Sequence, residues 1–182
     1  MPLPPPAVAR QHRHTRTIEL NGYEREDGLW DIEARLVDRR GYDYHNPFRG
    51  GLGRDDHLHE MWLRLTVDDS LTIREVAAST EFSPFPDCPN AADSYRRLVG
   101  LRIGHNWIDR VKERIPNPDG CTHLSELLRP MATVAIQTIM PLRRPPDPSS
   151  DRPPPLLDSC HGWRAEGVGV ATLFSRWHRK EP

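Results

Sequence analysis

The residues of this 182-residue chain best suited to chemistry are its three cysteines and the histidines beside them. Cys88 stands in Asp87-Cys88-Pro89, Cys121 in Gly120-Cys121-Thr122-His123, and Cys160 in Ser159-Cys160-His161. Thiolate and imidazole are the donors from which zinc sites are built, and a closed tetrahedral site needs four of them. Cys88, Cys121 and Cys160 with one histidine, His123 or His161, would suit zinc, and three thiolates with one imidazole would also hold a [2Fe–2S] cluster. All three cysteines fall at expected element edges or in loops, away from any apolar stripe. Cys121 lies at a helix start, where free backbone N–H groups favour an anion. His57 and His59, two residues apart at the head of an expected strand, add imidazoles that alternation would place on one face.

The ligands exceed the four of a closed site, which leans toward a metal with an open position and therefore toward an enzyme. Glu126, in the first turn of the same helix, is near enough to serve as base for a metal-bound water, and His59 is the other acid–base candidate. Arg49-Gly50-Gly51-Leu52-Gly53-Arg54 is a glycine-rich basic stretch able to wrap an anion, with Arg49 or Arg54 as clamp. Asp31 and Glu33 share the polar face of a strand, where carboxylates ordinarily carry no task. Dinucleotide and phosphate-loop fingerprints, the nucleophile elbow and the zinc-protease histidine pair do not occur.

Twenty-five basic residues against twenty-six acidic ones, with no long block of one sign, argue against a nucleic-acid partner. No apolar run approaches the roughly 20 residues of a membrane span, and the start of the chain lacks the apolar segment of a secretory signal. The expected location is cytoplasmic, where an odd number of cysteines stays reduced or binds metal.

These side chains must be positioned by a sheet and its cover. Ile18 and Leu20 alternate with polar neighbours. After the turn signal Asp27-Gly28, Trp30, Ile32, Ala34 and Leu36 do the same. Residues 41–56 show no period and read as a long loop. Met61, Leu63, Leu65 and Val67, then Leu71 and Ile73, give a second hairpin. Helical patterns follow over 91–99 and 106–115. A third, with Leu124, Leu127, Leu128, Met131, Ala135 and Ile139, has Thr122 as N-cap, and Pro130 is expected to kink or divide it. The expectation is an α+β fold: an antiparallel sheet of about four strands backed by two or three C-terminal helices. Residues 1–13 read as a disordered proline-rich N-terminus, 14–140 as the core domain, 141–155 as a proline-rich strap, and 156–182 as a tail packing on the core.

Arg16-Thr17-Ile18, Asp27-Gly28-Leu29-Trp30-Asp31-Ile32-Glu33, His59-Glu60-Met61-Trp62-Leu63-Arg64-Leu65-Thr66, Gly120-Cys121-Thr122-His123-Leu124 with Glu126-Leu127-Leu128, and Ser159-Cys160-His161 together resemble the landmarks of an uncharacterised bacterial family catalogued as a domain of unknown function. That resemblance runs from about His14 to Trp177. It brings no assigned reaction, and its pattern includes the three cysteine positions and His59. A fainter likeness is to iron–sulfur cluster scaffold proteins, which place three cysteines at one end of a helix-backed antiparallel sheet. Here the early hairpin lacks a cysteine and the third one follows the proline strap. Two readings result. One is a zinc or iron enzyme performing hydrolysis or lyase chemistry on a small anionic substrate. The other is a non-catalytic metal-binding or iron–sulfur accessory protein with a protein partner.

Overall fold

A computed structural model describes residues 3–143, 145 and 147–180. Of the proline-rich start, the strap and the tail read from the sequence, residues 1, 2, 144, 146, 181 and 182 lie outside the described residues. The chain divides into two compact units, Met1–Ile139 and Met140–Pro182.

In the first unit β1 (His14–Glu24), β2 (Trp30–Arg40), β5 (His57–Val67) and β6 (Ile73–Phe82) form one antiparallel sheet in that spatial order. Its hairpins arise where the chain offers turn chemistry. Gly28 takes φ +80° between β1 and β2, a conformation in which a side chain is disfavoured. Between β5 and β6 the Asp68 carboxylate accepts from the backbone N–H of Ser70 (2.8 Å) and of Thr72 (3.0 Å). Burial opposes its ionisation, yet these bonds with those from the Ser70 hydroxyl and Arg74 hold its carboxyl down to about 2.

Alternation sets the faces. Across β1, β2 and β5 the register aligns Ile18, Leu36 and Met61 in one row, Leu20, Ala34 and Leu63 in the next, and Gly22, Ile32 and Leu65 beyond. The β2 and β5 members of these rows, with Trp30 and Val67, are buried and form the sheet's core face. The 41–56 segment, expected as a loop, contains a short hairpin of β3 (Tyr44–Asn46) and β4 (Gly50–Leu52), too brief to show a period.

The cover consists of a 3-10 helix over Cys88–Leu98, α1 (Trp107–Arg114) and α2 (Thr122–Arg143). The expected α+β plan of about four strands backed by helices is thus the observed one. Leu124, Leu127, Leu128, Met131, Ala135 and Ile139 are the buried stripe of α2. Pro130 does not divide this helix: it runs unbroken for 22 residues, with the apolar stripe continuing on both sides of the missing donor. Trp107 binds the Leu128 carbonyl through its indole N–H at 3.1 Å, tying α1 to α2 at that turn.

The second unit has its own small core of Ala165, Val170 and Phe174, around α3 (Val168–Leu173) and two short 3-10 segments. Asp158 organises it, accepting from the Ala165 N–H at 2.8 Å and from Arg179 at 2.6 Å.

At Gly22 the packing of α2 against β1 leaves no room for a Cβ, which would overlap the Thr138 side chain. Gly22→Val should therefore lower unfolding stability by about 1–3 kcal/mol, the usual cost of overpacking. A denaturation midpoint equal to wild type would show that α2 does not press on β1 there.

Candidate metal centre

At one end of the sheet the apolar rows stop, and the next row across the core face is Arg16, Asp38 and His59. Arg16 pairs with Asp38 on β1 and β2, and Asp38 with His59 on β2 and β5. Asp38 is 1 % exposed and His59 9 %. His57, two residues earlier, was expected on the same face as His59. A bulge intervenes: Arg39 pairs with His57 while Asp38 pairs with His59. The extra residue reverses the alternation. His57 therefore donates from Nδ1 to Glu60 at 2.6 Å on the other face, where Glu60 also accepts from Arg35.

From above, α2 lowers its first turn onto this row. Cys121 precedes the helix, and its carbonyl accepts the first intrahelical bond from Ser125 at 2.9 Å. Cys121 thus holds the capping position expected of Thr122. The buried Tyr95 hydroxyl donates to the Cys121 carbonyl at 2.7 Å and accepts from the Cys121 N–H at 3.1 Å, fixing the helix start. One residue into α2, the His123 ring lies against the His59 ring with centroids 3.8 Å apart and planes tilted by 34°.

Asp38, His59 and His123 each offer a ligand atom such that all three lie within 4.8 Å of one another. Asp38 Oδ2 is 3.0 Å from His59 Nδ1 and 3.8 Å from His123 Nε2. With bonds of about 2.1 Å, the donors of a tetrahedral zinc centre lie about 3.4 Å apart, so these separations bracket that edge. Such a centre uses neutral imidazoles and an ionised carboxylate. Burial, and then the neighbouring His123, lower His59 to about 4, outweighing the pull of Asp38. Burial and then Arg16 also lower His123. Burial works against ionisation of Asp38, but the Arg16 hydrogen bonds and charge, joined by His59, hold its carboxyl below the usual range. All three groups thus stand at neutral pH in the form a metal requires.

The structure places the other candidate residues as follows. Cys121 Sγ lies 3.9 Å from His123 Nδ1, on the side of the ring away from Asp38. Cys88 opens the 3-10 helix and is half-buried. Cys160 is exposed in the second unit, and the neighbouring His161 accepts from Arg164 through Nε2 at 2.7 Å. The three thiols are free, and the Asp38–His59–His123 group contains no cysteine and has no iron–sulfur character. Glu126 is half-exposed and ion-paired with Arg16. Arg49 donates to the His57 carbonyl at 2.8 Å and lies over the Phe82 ring, and the Arg54 N–H is bound by Asp43 at 2.7 Å.

Asp38 and the role of Arg16 escape a search for cysteines and histidines, yet the sequence carried a signal for both. Asp38 continues the inward alternation of Trp30, Ile32, Ala34 and Leu36, Arg16 precedes that of Ile18 and Leu20, and His59 that of Met61, Leu63 and Leu65. A charged residue in line with a buried face marks a site, because burying it without partners is prohibitively costly.

The depressed His59 sets a pH dependence. Between about pH 6.5 and about 4 the unfolded chain binds a proton at this residue and the folded one does not, so stability falls as pH drops through that window. Imidazole NMR of metal-free protein should find His59 titrating near 4, and His59→Gln should flatten the stability profile across the window. A midpoint near 6.5 would contradict the burial described.

A search of curated proteins and a search of solved structures each find no match. A family model matches residues 14–137, a span holding the whole sheet, α1, most of α2 and Asp38, His59 and His123. The chain belongs to the family described as Protein of unknown function (DUF2889).

Proposed function

We propose that this protein binds one divalent transition-metal ion through Asp38, His59 and His123, and that metal binding rather than turnover is its function. The supporting observation is the convergence of two imidazoles in ring contact and a buried carboxylate from β2, β5 and the start of α2. Two histidines with one carboxylate suit zinc, or ferrous iron in its facial arrangement. Calcium and magnesium, which prefer all-oxygen shells, suit it poorly. An iron–sulfur cluster is not part of this reading.

Three protein ligands leave a coordination position for water, a small anion or a donor from a protein partner. An accessory protein uses that position for the partner. A hydrolase or lyase would use it for a nucleophilic water, and Glu126 is engaged by Arg16 rather than directed to that task. Among the described residues no helix is long and apolar enough to cross a membrane. Free thiols suit a reducing compartment, and we place the protein in the cytoplasm on that ground.

Anaerobic titration of the whole chain with Zn²⁺, and with Co²⁺ as a spectroscopic probe, should reach saturation at one ion. Asp38→Ala, His59→Ala and His123→Ala should each weaken binding by more than the roughly 10–100-fold that loss of an outer partner costs. Cys88→Ser and Cys160→Ser should leave affinity unchanged. Retained affinity in the first set, or its loss in the second, contradicts the assignment.

A further inference from the structure

The Asp38 carboxylate already has a full set of partners. Oδ1 accepts from Arg16 Nε at 2.8 Å and from His14 Nε2 at 3.2 Å. Oδ2 accepts from Arg16 Nη2 at 2.8 Å and from His59 Nδ1 at 3.0 Å. A carboxylate has about four lone-pair directions, and these four donors occupy them. An ion bound at Oδ2 can take the place of the His59 proton, since His59 then becomes a ligand through the same nitrogen. It cannot share Oδ2 comfortably with the Arg16 guanidinium, a second cation on the same oxygen.

Arg16 differs from the other donors in having somewhere else to go. Its remaining terminal nitrogen, Nη1, is paired with Glu126 in the first turn of α2. Asp38 is 1 % exposed and Glu126 49 %, so one guanidinium bridges a buried carboxylate and a solvated one. Resting on the metal reading above, we propose that Arg16 is an internal competitor for the ion. It neutralises Asp38 when the site is empty, and on metal binding it gives up Asp38 and is kept by Glu126. The charge balance favours this exchange. Arg16, Asp38 and Glu126 together carry one negative charge, and a divalent ion held by neutral imidazoles changes it to one positive. The guanidinium is then better placed away from the ion, beside Glu126. Arg16 thereby sets the affinity of the site without being a ligand, and couples metal occupancy to the start of β1, where His14 and Arg16 stand two residues apart.

The test uses the full chain, Zn²⁺ and a competing chromophoric chelator. Arg16→Met should bind Zn²⁺ at least about tenfold more tightly than wild type, since a cation next to the site has been removed. Glu126→Gln, on the exposed side, should bind it more weakly, since the displaced guanidinium loses its receiver. In ¹⁵N-labelled wild type the Arg16 Nε–H resonance should move on saturation with Zn²⁺ and its hydrogen should exchange faster with solvent, since the bond to the buried Asp38 carboxylate is lost. Equal or weaker affinity in Arg16→Met, or an unmoved Nε–H resonance at saturation, overturns the exchange. Should Arg16→Met fail to fold, Arg16→Gln, which also removes the charge but keeps an amide donor near Asp38, is held to the same tighter-than-wild-type criterion. Wild type that binds no Zn²⁺ removes the metal reading itself, whereas binding through Asp38, His59 and His123 without an Arg16 effect removes the exchange alone.

Discussion

A carboxylate on the core face of a sheet governs this molecule. Asp38 is nearly inaccessible and ionised, and an unpaired charge in that position would be severely destabilising. Arg16 grips it with two parallel bonds, and His14 and His59 complete its coordination. Removing one partner of such a buried pair ordinarily costs roughly 3–5 kcal/mol, because the other charge is left uncompensated. The first requirement on the surrounding structure is therefore to deliver donors to one point at the end of the sheet.

The fold meets that requirement by register. Antiparallel pairing sets Arg16, Asp38 and His59 side by side on three neighbouring strands, immediately beyond the apolar rows that carry the core. The bulge before His59 allows His57 and His59 to serve different faces. His57 joins the Glu60–Arg35 network on one side, and His59 meets Asp38 on the other. The long apolar stripe of α2 holds that helix on the sheet, while Tyr95 fixes its first turn. His123 and Glu126 reach the polar row as a result. Packing and chemistry are thus continuous here, because the rows that make the core also fix the geometry of the Asp38–His59–His123 group.

The sheet and the helices behind it were legible in the sequence because alternation and helical spacing are local signals. Trp30 to Leu36 and Met61 to Val67 carry one, and Leu124 to Ile139 the other. The β3–β4 hairpin was not legible, since three-residue strands are too short for a pattern. At the site, His59, His123 and Cys121 stood out by residue type; the structure joins the two histidines to Asp38 through strand pairing and a long-range helix contact, and leaves Cys121 beyond His123. What the sequence obscured was the weight of each ligand type. Cysteines draw attention because they are rare, while an aspartate in a strand reads as surface until its inward position is noticed. The bulge that separates His57 from His59 depends on tertiary context and has no local signature.

X-ray absorption spectroscopy at the metal edge of the zinc-loaded chain distinguishes Asp38, His59 and His123 from the cysteines as ligands. Binding through the two histidines and the carboxylate gives a shell of nitrogen and oxygen neighbours at about 2.0–2.2 Å with the outer scattering of two imidazoles. A sulfur shell at about 2.3 Å, or scattering from fewer than two imidazoles, would contradict it.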